Sequence, residues 1–371
     1  MAQLPTTMRS LIAPTPCKPK DYDVVNLPVP VIQKPDEILI KVHAAGFMTG
    51  DSLVAAGSLN FLLKNKYPIK LGVGGAGVVV AVGSAVTKFQ PGDAVYGGAM
   101  SQPMTLSPPP GFCSEYCIGR ERYLLPKPPG VSFEEAAGLL GNTLTAVESL
   151  ELGAALLSER SGRSLEGATV LVPGALSATG HVALQLLRNV YGAGRIVTTA
   201  STAKVPLVEE RLGSGIVDQV VDYTATPRLT DVVPAGSVDF AYNTQFTALT
   251  TLVPLLRPDT GVIVSVASMF PSRILKLNFP SLPFWLGWAA DLVNLWYHYW
   301  MLRGTNVVLD QVSGSLEKPE IVKKTADVIA QKKVRCVMRV VPLSDLDALR
   351  KECEQVYTGK GGIGSLVIKM V

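Results

Sequence analysis

Charge is scarce in this chain of 371 residues: 34 Lys and Arg stand against 30 Asp and Glu, charged residues make up only 17%, and the formal balance is +4. No Lys/Arg cluster reaches the density of a polybasic tract, which excludes an extended nucleic-acid surface. Histidine is rarer still, with His43, His181 and His298 in three different contexts. The five cysteines, Cys17, Cys113, Cys117, Cys336 and Cys353, form an odd and widely spaced set. Such a set speaks against a disulfide framework and for reduced thiols in a reducing compartment. The opening MAQLPTTMRSLIAPT lacks the basic-then-apolar layout of a secretory signal. The expected location is therefore the cytosol. No internal repeat is visible.

Apolar residues, by contrast, are abundant, at 47% with a mean hydropathy of +0.29, and the length suffices for two domains. Residues 36–45, DEILIKVHAA, alternate Ile38, Ile40 and Val42 against Glu37, Leu39 and Lys41, as in a half-buried antiparallel strand. The runs 72–82 and 85–97 continue in short strands separated by Gly and Pro-Gly-Asp turns, so the first 140 residues read as mainly β. The stretch after Gly97, rich in Pro, Gly and Ser, reads as an exposed loop. A helical region opens between Ser132 and Ala137. From 169 to about 268, strands at 169–172, 195–200, 218–223, 237–242 and 261–267 alternate with helical segments, which predicts a doubly wound parallel sheet. The end becomes mixed again, with helices near 319–331 and 344–357 and strands at 335–341 and the terminus.

The centre of that α/β pattern is TVLVPGALSATGHVALQLL at 169–187. Thr169 to Val172 form an apolar, β-branched run suited to a buried parallel strand. Gly174, Ala175, Ser177, Ala178 and Gly180 then leave room for close backbone approach. From Thr179 onward Val182, Ala183, Leu186 and Leu187 recur at helical spacing, which puts a helix N-terminus where a pyrophosphate would sit. A tight strand-to-helix connection would use the same glycines for steric reasons alone. The residues after the next strand sharpen the choice. An Asp or Glu there would read a ribose 2′-hydroxyl, but the chain has Ser201, Thr202, Ala203 and Lys204. Hydroxyls and an ammonium suit a 2′-phosphate, and Ser201 is also placed to cap a helix starting near Ala203.

Together these segments resemble the medium-chain dehydrogenase/reductase superfamily, and within it the zinc-free quinone oxidoreductase and enoyl reductase branch. The likeness rests on DEILIKVHAAG at 36–46, the spaced glycines and valines of 72–83, PGDAVYG at 91–97, GFCSEY at 111–116, LTA at 144–146, the turn itself and the closing GGIGSLVIKMV. It implies a GroES-like, mainly-β catalytic domain from 1–142 and 308–371, around a Rossmann nucleotide-binding domain at 143–307. It further implies NADPH-dependent reduction of an activated C=C or a quinone, and homodimers formed near the end of the nucleotide domain. The expected substrate is a small apolar carbonyl compound or quinone. The implied cofactor residues are Gly174, Ala175, Ser177, Ala178, Thr179, Gly180, Ser201, Lys204 and Tyr223. Thr49, as a hydrogen-bond donor to a substrate carbonyl, and Asp51, as an orienter of the loop, are the catalytic candidates; an Asp in that place is also a common turn-former. No metal is expected. Where zinc alcohol dehydrogenases carry ligands, this chain has Met48 and Val73-Gly74, and Cys113 with Cys117 lacks a second pair.

The chain also departs from the branch. Met48 stands for a usual Asn, Thr49 for Pro, Gly74 for an acidic residue, Ser177 for the middle glycine of the turn and Asn243 for an Asp. Ser177-Ala178-Thr179-Gly180 is similar to the form in fungal members, and the C-terminal third to yeast relatives associated with lipid particles or membrane traffic. Two alternatives thus stand beside the reductase: a membrane- or lipid-droplet-associated scaffold or trafficking protein with little redox chemistry, and a biosynthetic enzyme of secondary metabolism.

One segment stands apart. The insertion at 282–302 holds all four tryptophans, and from Phe284 to Leu302 its strongly polar residues are Asp291, Asn294 and His298. Spaced three and four apart, they make one narrow polar stripe on an apolar cylinder. Its 19 residues would extend about 28 Å, yet the same fold resumes at 307, which argues against a span. Burial against the protein or a dimer mate, peripheral contact with a membrane or lipid droplet, and the wall of an apolar pocket remain as readings.

Overall fold

The computed structural model describes residues 4–58, 60, 66–98, 111–245, 249–268, 270–279 and 281–370. Most of the Pro-rich stretch after Gly97 lies outside them. In chain order the strands are β1 Thr7–Ala13, β2 Asp23–Pro28, β3 Glu37–Phe47, β4 Ile69–Lys70, β5 Gly74–Val82, β6 Ala94–Gly98, β7 Tyr116–Arg120, β8 Leu124–Pro126, β9 Thr169–Val172, β10 Arg195–Ala200, β11 Gln219–Asp222, β12 Phe240–Asn243, β13 Val262–Ser265, β14 Val308–Gln311, β15 Met338–Pro342 and β16 Ser365–Lys369. The α-helices are α1 Thr49–Ala55, α2 Phe133–Ser161, α3 Gly180–Asn189, α4 Val205–Leu212, α5 Leu249–Leu252, α6 Ser272–Asn278, α7 Phe284–Leu302, α8 Pro319–Ala330 and α9 Leu346–Thr358.

Two compact units result, one from residues 1–141 with 338–371 and one from 142–337. The first is built on β3, which sits inside the sheet β15-β16-β3-β5-β6-β8, with β7 also pairing to β3. Ile38, Ile40 and Val42 are buried on one face, as their alternation predicts. Leu39, expected on the open face, is buried too, in a small cluster with Met8 and Tyr116. Period 2 shows that a strand has two faces, but not that a second layer covers the other one. The smaller sheet of this unit runs β2-β1-β4.

The second unit holds a six-stranded parallel sheet of order β11-β10-β9-β12-β13-β14. This is the doubly wound arrangement, with its switch point between β9 and β12. The chain's return to the first unit falls later than the expected 308. β14 pairs in parallel with β13, and residues up to 337 group with the second unit. The base of the switch point is locked by Asp239, a buried carboxylate that accepts from Thr169 N at 2.8 Å, from Arg257 Nε at 2.6 Å and from Arg163. Helix α2 opens with a capping box in which Glu135 N donates to Ser132 Oγ at 3.1 Å and Ser132 N to Glu135 Oε2 at 2.9 Å.

The aromatic segment folds as α7, and its orientation inverts the usual pattern. Its polar stripe bonds to the unit: Asp291, itself exposed, accepts from Ser272 N at 2.7 Å and Ser272 Oγ at 2.6 Å, and the half-buried Asn294 accepts through Oδ1 from Gln311 Nε2 at 3.1 Å. His298 Nε2 lies 3.0 Å from the same Gln311 nitrogen. Tyr297, Met301 and Leu302 pack on the core of the unit. The other face, with every tryptophan, is exposed. Burial of that face against its own unit is therefore ruled out. No helix among the described residues is long and apolar enough to cross a membrane.

Candidate functional site

In the second unit, β9 ends at the switch point and the chain turns through Pro173 to Thr179 into α3. The turn is closed by its own atoms. Gly174 N donates to Thr199 Oγ1 at 3.0 Å, Ala175 N to Thr199 O at 2.9 Å and Ser177 N to Gly174 O at 2.9 Å. Gly174 has φ +74°, a region that favours glycine. Gly180 is required for space: a Cβ there would sit 2.5 Å from Ser177 Oγ and closer still to the carbonyl oxygen of Gly174. Ser177 Oγ accepts from Gly180 N at 3.0 Å and donates to Thr244 Oγ1 at 3.3 Å, and the Thr244 hydroxyl donates to Pro173 O at 2.5 Å. Ser177, which stands for the middle glycine of the branch, is part of the turn's own hydrogen bonding. Its hydroxyl is engaged inside the turn, tying β9, the start of α3 and the end of β12 together.

Ala175 is buried, Ser177 and Thr179 are half-buried and Ala178 is exposed, so the lip of the turn at the helix start is Ser177–Thr179. Behind it His181 is fully buried, its Nδ1 donating to Ser177 O at 3.0 Å. Burial pushes the imidazole down to about 4, so it is neutral at ordinary pH. Gln245 also lines this place: a Cβ on Gly174 would meet Gln245 Nε2 at 2.6 Å. Thr244 and Gln245 follow β12, where Asn243 donates to Ser265 Oγ at 3.0 Å and accepts from Gln245 N at 3.2 Å. Sequence reasoning missed this pair. The signal lay in their position just after the fourth strand of an alternating pattern, across the switch point from the glycine turn.

At the end of β10, Ser201 precedes a 3-10 turn, Thr202–Lys204, and makes no capping hydrogen bond with its side chain. The α-helix begins at Val205, two residues later than the expected start near Ala203. Tyr223 is 55% exposed, so it is a surface residue beside this corner and not a core tyrosine. Tyr223 N donates to Ala200 O at 3.1 Å. A carboxylate is present after all, contributed by the neighbouring strand: Asp222 pairs in register with Ala200. The Thr202 hydroxyl and the N–H groups of Thr224 and Ala225 donate to it and hold it below the usual carboxylate range. An Asp at the end of DQVVDY was the cue.

In the first unit, Thr49 is exposed at the first position of α1. Asp51 is buried, and it accepts from Met48 N at 2.9 Å and from Gly72 N at 2.8 Å. The carboxylate therefore staples the start of α1 to the turn before β5. Desolvation raises it to about 7, against the backbone N–H groups of Met48, Gly72 and Val73 that favour the anion. The Met48 thioether lies over the helix face at Gly141, where a Cβ would come within 3.0 Å of its Cε. Cys113 and Cys117 are core residues whose thiols burial pushes up, the opposite of what a metal-binding thiolate needs. Among the described residues no three His, Cys, Asp or Glu side chains gather as a metal site.

A GroES-like β unit whose strands come from both ends of the chain, and a six-stranded parallel sheet of the Rossmann kind formed by the residues in the middle of the sequence, are together the fold of the medium-chain dehydrogenases/reductases. Residues 34–130 match the alcohol dehydrogenase GroES-like domain. The chain is similar to the NADPH-dependent alkenal/one oxidoreductase of Arabidopsis thaliana chloroplasts, 35% identical over 199 residues, covering 54% of this chain and 48% of the relative. It is also similar to the trans-enoyl reductase pyiC of Pyricularia grisea, 30% identical over 54% of this chain and 51% of that protein. The chain thus spans about half the length of these curated relatives. Among solved structures, the quinone oxidoreductase from Coxiella burnetii shares the fold with a TM-score of 0.75 at 23% identity, covering 98% of this chain and 100% of that one.

Proposed function

We propose that the protein is a nicotinamide-dependent reductase that uses NADPH to reduce a C=C bond conjugated to a carbonyl, or a quinone, without zinc. The observation that carries this reading is the tight turn at 174–180, which delivers the N-terminus of a ten-residue helix to the switch point of a parallel sheet. The N–H groups at the lip, around Ala178 and Thr179, would hold the pyrophosphate. Ser201, Lys204 and Tyr223 would hold the 2′-phosphate, with Asp222 fixing Thr202 beside them. The named activities of the alkenal/one oxidoreductase and the trans-enoyl reductase support the same class of substrate.

When bound, the reduced nicotinamide supplies hydride to the electron-poor carbon of the substrate. A hydroxyl donor would stabilise the negative charge that such a transfer places on the substrate's carbonyl oxygen. Thr49 is the residue we assign to that role. Asp51 is a positioning residue, because its oxygens are occupied by the backbone of Met48 and Gly72. Titration of the purified protein with NADPH and NADH, followed by nucleotide fluorescence, tests the cofactor. NADPH should bind at least about tenfold more tightly, a difference of about 1.4 kcal/mol. NADPH consumption with enones, enals and quinones tests the reaction. Failure to bind either nucleotide would overturn the reading.

A further inference from the structure

Among the described residues the exposed face of α7 has no partner. Phe284, Trp285, Trp288, Leu292, Val293, Leu295, Trp296, Tyr299 and Trp300 all face outward, with Phe284 85% and Trp288 72% exposed. Leu277 of the neighbouring helix α6 adds to the patch. With aromatic side chains presenting 150–250 Å2 each, the exposed apolar area is on the order of 1,000 Å2. The largest patch on an ordinary monomer is about 300–600 Å2.

Charge decides between occupants. In residues 271–305 the cations are Arg273, Lys276 and Arg303, and the one acid is Asp291. Asp291 is exposed and accepts from Ser272, and Arg273 is paired with Asp310. Lys276 lies by the N-terminal half of α7, near Gly287, and Arg303 stacks over Trp300 at the other end, 6.0 Å from its ring. Two copies packed antiparallel along α7 would bring Arg303 of one toward the Lys276 end of the other, with Asp291 the single acid that each segment offers against its three cations. An anionic surface meets the same cations favourably. Trp and Tyr are the side chains that settle at a membrane–water interface, and a helix with this face lies in the interface plane, not across it.

We propose that α7 is a monotopic lipid-binding helix, which lays its aromatic face into the headgroup region of an anionic membrane or lipid monolayer while Asp291, Asn294 and His298 keep it fastened to the nucleotide-binding unit. The protein carries its own probe, since its four tryptophans all lie on this helix. Vesicles of phosphatidylcholine with phosphatidylserine should shift the tryptophan emission to shorter wavelength, shield it from acrylamide and carry the protein up in flotation. Pure phosphatidylcholine should do so more weakly, and high salt should reduce the difference. The double substitution Leu295→Gln with Trp296→Gln, at exposed positions, should weaken partitioning by roughly tenfold or more. Lys276→Glu with Arg303→Glu should abolish the preference for phosphatidylserine. Unchanged far-UV circular dichroism and melting temperature identify both as folded. Emission and flotation unaffected by either vesicle would overturn the proposal. So would a blue-shifted emission in the free protein that accompanies a concentration-dependent dimer in sedimentation and persists when vesicles are added.

Discussion

Two residues of the candidate site are held so tightly that small changes should be felt. A methyl group at Gly180 would meet backbone oxygen at Gly174, which cannot swing aside as a side-chain terminus would. Gly180→Ala should therefore cost about 2 kcal/mol of stability and weaken NADPH binding, both measurable by urea unfolding and nucleotide titration. Ser177→Gly removes the acceptor for Gly180 N and the link to Thr244, and should cost about 1 kcal/mol while changing NADPH affinity far less. Asp51 sets a pH dependence. Its carboxyl lies near 7 in the fold against 3.8 for the free group. Below pH 3.8 both states hold the proton, and between that and 7 only the folded state does. The stability it contributes is therefore lost as pH rises through this window and is flat above it. Between pH 5 and 8 the wild type should lose up to about 3 kcal/mol more than Asp51→Asn in urea unfolding. The glycines of the turn and the hydroxyls after β10 were legible in the sequence because their chemistry is local. The engagement of Ser177 with Thr244 was not, because its partner lies 67 residues away and is brought close only by the strand order.

Among the elements, the parallel sheet followed from its run of β-branched strands, and every strand predicted between 169 and 268 is present. What joins those strands was hidden. Asp239 receives one N–H from β9 and two guanidinium groups, so the two strands flanking the switch point start from one anchored carboxylate. Asp239→Ala should destabilise the protein by about 2 kcal/mol, read as a lower urea midpoint, with a matching loss of nucleotide affinity at 37 °C where the unit loosens. The aromatic helix shows a different limit of sequence reading. Its polar stripe was plain from spacing, but spacing alone does not say which side is inside. Ser272 and Gln311 decided it, by offering hydrogen bonds to a stripe that would otherwise face water.

At the scale of the molecule, the β unit is assembled from sequence-distant pieces while the Rossmann unit is continuous. Nothing local in the sequence sets where the chain returns; the parallel register of β14 with β13 places it in the second unit. The pairing of β16 with Ala44–Phe47 of β3 covers one edge of the longest strand in the first unit. Removing residues 365–371 should leave that edge open and give a protein that aggregates, with the Rossmann unit still protected from proteolysis.

That pairing also orders events on the ribosome. Residues 142–337 contain every strand of the parallel sheet and are synthesised before β16 of the other unit. Until β16 is made, the nascent chain holds the strands of the parallel sheet while Ala44–Phe47 of β3 lack the strand that pairs with them. Chaperone engagement should therefore fall on this unpaired stretch of β3 until β16 joins it.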